Sequence, residues 1–200
     1  GTKYEDLTGN GTSADDTPWS YGPVTIYIDD DNSHGLSAGD RTTTTDANGH
    51  WSISGLTLAD VGKSIYEVVP GGSEQTGTLV QTIDNPGSGG TDTGNDFTNF
   101  RNFSISGTKY EDLTGNGTSA DDTPWSYGPV TIYIDDDNSH GLSAGDRTTT
   151  TDANGHWSIS GLTLADVGKS IYEVVPGGSE QTGTLVQTID NPGSGGTDTG

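Results

Sequence analysis

The sequence predicts an all-β chain of tandem β-sandwich domains, and three observations carry that expectation. The first is a repeat: Gly1–Gly94 recurs unchanged as Gly107–Gly200, a period of 106 residues. That period is too long for a solenoid unit and fits one small domain per copy. The second is the placing of the apolar residues, which fall in short alternating runs separated by Gly, Asn, Asp and Pro. The third is a polar, acidic composition, with 27% hydrophobic residues, 32 glycines and a net charge of −22. So little apolar material makes a thin core, which a bound metal would reinforce. There is no Cys to supply disulfides instead. The negative charge argues against nucleic acid or anionic membrane as partners, and no apolar run is long enough to insert into a bilayer.

Each element follows from local pattern. The first strand is whole only in the second copy, Phe103–Tyr110, because the chain starts inside it. In Val24–Ile28, Val24, Ile26 and Ile28 alternate with Thr25 and Tyr27, the period of a half-buried strand. Arg41–Thr45 is polar and β-prone, and Asp46-Ala47-Asn48-Gly49 is a hairpin turn. His50–Ser54 puts Trp51 and Ile53 on one strand face. Leu56, Leu58 and Val61 suggest a crossover with one helical turn. Ser64–Val69, Thr78–Ile83 and Asp96–Arg101 complete the unit. Domains are expected at 1–102 and 103–200, the first lacking the head of its first strand and the second its last strand. The chain therefore reads as an excerpt of a longer polypeptide. Asp96–Asn102 runs into Phe103–Ile105 with no Gly/Ser-rich or Pro-rich linker, so consecutive repeats are expected to form a stiff, rod-like array.

Two loops per repeat carry the spacing of a calcium site. From Asp29, oxygen-bearing residues fall at positions 1, 3, 5, 9 and 12 of a twelve-residue loop: Asp29, Asp31, Ser33, Ser37 and Asp40, with the Gly35 carbonyl at position 7. Three successive carboxylates, Asp29–Asp31, repel one another unless something positive lies among them. His34 stands where a turn glycine is usual. The earlier loop offers Asp6, Thr8, Asn10 and the Thr12 carbonyl at positions 1, 3, 5 and 7, with Gly11 at the turn. Thr17 cannot supply a carboxylate at position 12, so Asp16 (or Asp15) is expected to do so. The second copy repeats these sets as Asp135, Asp137, Ser139, Gly141 and Asp146, and as Asp112, Thr114, Asn116, Thr118 and Asp122. Ca²⁺ is thus the expected ion; Asp29→Ala with Asp31→Ala is expected to mimic its removal from that loop, and Asp60→Ala, outside both loops, is not.

Taken together, Ser104–Asp112, Asp6–Gly11, Val24–Asp40, Thr45–Leu56 and Tyr66–Pro70 resemble the B-type domains of serine–aspartate repeat surface adhesins, and more distantly collagen-adhesin (Cna) B-type domains. The resemblance covers the whole repeat. It implies a seven-stranded, Ig-like Greek-key sandwich, calcium in the acidic loops, and a spacer role in a bacterial surface protein. The function expected is therefore a non-catalytic, calcium-stabilised stalk module, extracellular, whose partners are neighbouring repeats and other copies in a fibre.

Three other readings bear on the same residues. An enzyme finds little support, since His34 and His50 sit in an acidic loop and after a turn, where solvent accounts for them. A carbohydrate-binding module would need exposed aromatics; Trp51 and Trp19 look like core, leaving Tyr21 and Tyr27. The resemblance also raises an amide bond between a first-strand Lys and a last-strand Asn, here Lys3 and Asn99, assisted by Glu67. With Tyr66 and Val68 as the inward pair, Glu67 would face water and Lys3 would be a surface lysine.

Overall fold

The computed structural model describes residues 1–199, and the chain folds as two compact units, Gly1–Arg101 and Asn102–Gly200. In unit 1 the strands are β1 (Lys3–Glu5), β2 (Thr17–Pro18), β3 (Thr25–Ile28), β4 (Arg41–Thr44), β5 (Ser64–Glu67), β6 (Ser73–Gln75), β7 (Gln81–Thr82) and β8 (Phe97–Arg101). They form two four-stranded sheets, ordered β2-β1-β8-β6 and β4-β3-β5-β7. Their shared core contains Trp19, Val24, Ile26, Ile28, Trp51, Ile65, Ile83 and Phe97. The fold is the expected all-β sandwich.

Within unit 1 the strand pairings among the described residues are antiparallel except one. β1 and β8, the first and last strands of the unit, run parallel, with Lys3 opposite Phe97 and Glu5 opposite Asn99. The hairpin before Trp51 closes on this strand: Lys3 N–H donates to the Gly49 carbonyl at 2.8 Å. Gly49 has φ of +76°, and a Cβ there would lie 2.4 Å from the Lys3 carbonyl oxygen, so the turn requires glycine twice over. The expected helical turn is a 3₁₀ segment, Leu58–Asp60, capped by reciprocal Thr57 and Asp60 bonds.

The inward face of β5 corrects one expectation. Ile26 pairs with Glu67, Tyr27 with Tyr66 and Ile28 with Ile65. Since β3 turns Ile26 and Ile28 to the core, register turns Ile65 and Glu67 inward with them. Tyr66 lies outside, stacked on Tyr27 at 5.5 Å, and Val68 is exposed. Tyr27 is buried by that stack, contrary to the exposed aromatic expected.

Unit 2 contains β9 (Phe103–Thr108), β10 (Tyr110–Glu111), β11 (Thr123–Pro124), β12 (Thr131–Ile134), β13 (Arg147–Thr150), β14 (His156–Leu162), β15 (Ser170–Glu173), β16 (Gln187–Thr188) and β17 (Thr197–Asp198). Its sheets are β13-β12-β15-β16, β14-β9-β17 and the pair β10-β11. The strand expected at His50–Ser54 exists here as β14, paired along β9, whereas the same residues of unit 1 form no strand. Thr78–Ile83 was expected as a full strand, but only Gln81–Thr82 pairs, on the edge of β5.

Candidate functional site

Two constellations stand out, one inside the sandwich and one at its end. Inside unit 1, Lys3 and Glu67 are both fully buried, with Lys3 Nζ 2.9 Å from Glu67 Oε2. Asn99, on β8, is also fully buried. This overturns the expectation of a surface lysine and a solvated glutamate. The proximity lacks hydrogen-bond alignment: Lys3 Nζ, both Glu67 carboxylate oxygens and Asn99 Oδ1 have no hydrogen-bond partner. Asn99 Nδ2 is held by Ser73 Oγ at 3.3 Å.

Burial drives both charges toward neutrality. It lowers the Lys3 ammonium to about 8, against the partial support of the nearby Glu67 carboxylate. It raises Glu67 above the ordinary carboxylate range, with Lys3 opposing. Both charged forms are thus disfavoured where Lys3 of the first strand, Glu67 of β5 and Asn99 of the last strand are buried together. Unit 2 keeps the first half of this set, with Lys109 Nζ donating to Glu173 Oε1 at 2.9 Å. Its side chains are 18% and 8% exposed, where those of unit 1 are sealed.

At the end of β3 the three aspartates part company. Asp30 turns to Arg41, which grips it through Nε at 2.8 Å and Nη2 at 2.7 Å, and to Lys63 Nζ at 2.6 Å. Arg41 and Lys63 also bind Asp60, at 2.6 and 3.0 Å. These cations hold Asp30 and Asp60 well below the usual carboxylate range. Asp60 is thus part of the framework, paired with Arg41 and Lys63 and outside the Asp29, Asp31 and Asp40 cluster.

Asp29 and Asp31 instead close the loop with Asp40, and one oxygen of each lies within 4.8 Å of the others. Backbone donors orient them. Ser33 N–H donates to Asp29 Oδ1 and to Asp31 Oδ1 at 3.0 Å, and His34 N–H to Asp29 Oδ2 at 3.0 Å. Asp40 accepts from Asp30 N–H at 2.9 Å and Ser37 N–H at 2.6 Å. Ser37 Oγ donates to Asp31 at 3.0 Å, and Ser33 Oγ to the Gly35 carbonyl at 2.8 Å. His34 does what the usual glycine would, adopting φ of +59°. Unit 2 reproduces the arrangement at Asp135, Asp137 and Asp146, with Ser139 bonded to Gly141. The donor set, carboxylates and hydroxyls with one carbonyl, is the hard-oxygen chemistry that suits Ca²⁺.

The earlier loop is arranged differently. Asp6 is buried, its carboxylate taking N–H groups of Thr8, Gly9, Asn10 and Gly11. Thr8 Oγ1 and Asn10 Nδ2 converge on Asp15, at 3.1 and 3.5 Å, and so does Ser13. Asp16 accepts from Ser13 N–H at 2.8 Å, and burial near Asp6 and Asp15 raises its pKa. Asp15, rather than the expected Asp16, therefore faces Thr8 and Asn10. Thr12 anchors the loop to β8 through Thr98 Oγ1 at 2.7 Å. In unit 2, Asp112 accepts from Thr114, Gly115, Asn116 and Gly117, and Asp121 takes Thr114 and Ser119, while Asp122 takes Ser119 N–H. Thr118 sits beside this loop at the wall of an open groove.

Of the aromatics, Trp19 and Trp51 lie in the core and only Tyr21 of the expected set is exposed, at 51%. Arg101 stacks on its ring at 3.9 Å while bonding Glu5 at 2.8 Å.

No family model and no curated protein matches the chain. Among solved structures it is similar to the shaft pilin SpaA from Lactobacillus rhamnosus GG, at 15% identity and a TM-score of 0.37, covering 98% of this chain and 94% of that one. The Streptococcal ancillary pilin gives 17% identity and a TM-score of 0.37, over 99% of this chain and 61% of that one. The Bacillus anthracis TIE protein gives 17% and 0.32, over 100% and 32%. Superposition at this level does not bear on function, which rests on the chain's own residues.

Proposed function

We propose that this chain is a load-bearing, non-catalytic repeat of a bacterial surface protein or extracellular fibre, acting as a stalk or spacer outside the cell. The observation that carries the reading is the sealed Lys3–Glu67–Asn99 set. Its groups are reactive in kind yet closed to any substrate, so their chemistry is with one another. Neutral Lys3 Nζ attacks Asn99 Cγ while protonated Glu67 polarises the carbonyl and relays a proton to the leaving nitrogen. A C–N bond forms, the Cγ–Nδ2 bond breaks, and ammonia departs. The product ties the first strand to the last. Tension applied at the two ends of a unit loads β1 and β8 in shear, and a covalent tie between them carries that load without unfolding.

The acidic loops serve the same end. Ca²⁺ held by Asp29, Asp31 and Asp40, with Ser33 and Gly35 adjoining, would relieve the carboxylate repulsion and fasten β3 to β4. Asp135, Asp137, Ser139, Gly141 and Asp146 would do so in unit 2. The intact mass of the purified chain tests the tie: it should be lighter by one ammonia per clamped unit, and Glu67→Gln should restore the full mass. An unreduced mass would leave the lysine as a buried ion pair and remove the load-bearing argument. Melting in calcium and in excess chelator tests the metal, and coincident curves would sink that part.

A further inference from the structure

Of the three buried groups in unit 1, Asn99 has two chemically different ends, and only one orientation of its amide suits the exchange. The oxygen must stay on Cγ and take up charge as Lys3 attacks, while the nitrogen must leave. The choice between them is made from β6. Pro70–Ser73 is a turn in which Ser73 N–H donates to the Pro70 carbonyl at 3.2 Å, with Gly72 at φ of +77°. Ser73 Oγ folds back and donates to the same carbonyl at 2.8 Å. Ser179 repeats both bonds with Pro176, at 3.1 and 2.7 Å, so the turn itself commits the serine proton.

A hydroxyl has one proton to give and lone pairs with which to receive. With its proton spent on Pro70, Ser73 Oγ meets Asn99 as an acceptor only. β6 and β8 run antiparallel, with Gln75 opposite Asn99 and Ser73 opposite Arg101. Ser73 is therefore the diagonal neighbour of Asn99 across the strand pair. Asn99 Nδ2 donates to Ser73 Oγ at 3.3 Å, and Asn99 Oδ1 is buried with no hydrogen-bond partner. A reversed amide would set its oxygen against the serine lone pairs, an uncompensated contact at a buried site.

We propose that Ser73 is the orienting residue of the clamp: it holds Asn99 by the nitrogen that leaves and frees the oxygen that stays. The inference rests on the amide exchange proposed above. In that step the Lys3 Nζ–Asn99 Cγ bond forms and the Cγ–Nδ2 bond breaks, its electron pair remaining on nitrogen. One lysine proton passes through Glu67 to that nitrogen, which departs as ammonia, and nothing is oxidised or reduced. As the nitrogen gains its proton it becomes a stronger donor to Ser73 Oγ, so the contact strengthens along the reaction.

The test follows the intact mass of the freshly translated 200-residue chain with time. The parent should lose ammonia. Ser73→Ala should do so on the order of tenfold more slowly, the effect of one hydrogen bond of ordinary strength. Ser73→Thr, which keeps the hydroxyl, should recover the parent rate. Gln75→Ala controls for damage to β6: Gln75 lies directly opposite Asn99 but bonds the Thr78 and Leu79 carbonyls, so its loss should not slow the reaction. Equal rates in the parent and Ser73→Ala, or equal slowing by Gln75→Ala, overturn the role of Ser73 and leave the clamp standing. A parent that keeps its full mass overturns the clamp. The orientation is read independently in Lys3→Met, where no exchange can occur. There the Asn99 Nδ2 protons should show a nuclear Overhauser contact to the Ser73 Hβ protons, and absence of that contact overturns the orientation.

Discussion

The two units share the sequence Gly1–Gly94 and still form different strands. His156–Leu162 is a seven-residue strand in unit 2, yet His50–Leu56 in unit 1 has one isolated bridge, Thr2 to His50. The difference is the partner: β9 begins at Phe103, and unit 1 starts its first strand at Lys3. The reverse holds at the other side of the sandwich. Ser73–Gln75 is a strand because β8 lies beside it, and Ser179–Gln181 is not. Identical local propensity thus gives strand or loop according to whether a neighbour offers backbone hydrogen bonds, as expected where pairing outweighs intrinsic preference.

The largest way to break this comparison is to remove the strand that distinguishes unit 1. Phe97 is fully buried, and Phe97→Ala should cost unit 1 roughly 3–5 kcal/mol. Calorimetry should show the unit 1 transition falling while that of unit 2 stays; a shift of both would mean the units do not melt independently. Next come the acidic loops, which are alike in the two units and should answer alike. Calcium at a hundred times its dissociation constant should add about 2.7 kcal/mol to the unit that binds it, and Mg²⁺ much less. Asp29→Ala with Asp31→Ala should abolish that gain in unit 1 alone, and Asp135→Ala with Asp137→Ala in unit 2 alone. By contrast, Asp60→Ala should lower the unit 1 melting temperature and leave its response to calcium intact, because Asp60 serves Arg41 and Lys63.

The smallest effect is in pH. In Asn99→Ala no amide can form, and Lys3 remains an amine whose folded pKa, about 8, lies below the ordinary 10.5. Between those values the unfolded chain binds the extra proton, so unit 1 of this variant should gain stability as pH rises through that window. Glu67, raised by burial, acts oppositely at lower pH, where stability falls as it ionises. If the proposed amide forms, the parent chain should lack the alkaline rise in its melting temperature; an equal rise in both would show that the amine is free.

Much of this was legible from the residues. The alternation at Val24–Ile28, the Asn48-Gly49 turn and the spacing from Asp29 to Asp40 are local patterns, and each produces its element or its cluster. The choice of Asp15 over Asp16 was not, because adjacent carboxylates differ in direction and not in spacing. Nor was the role of Asp30, which depends on Arg41 and Lys63 arriving from other parts of the chain. The buried lysine was hidden for a related reason. Period two along Ser64–Val69 permits either Ile65 and Glu67 or Tyr66 and Val68 to face inward, and composition favours the apolar pair.

What the sequence determined alone was the repeat, the β class and the oxygen-rich loops, since these rest on periodicity and spacing within a few residues. What the tertiary structure decided was which face of β5 is inside, and hence that Lys3, Glu67 and Asn99 meet. Register with β3 sets that face, and register is a property of pairing between distant segments.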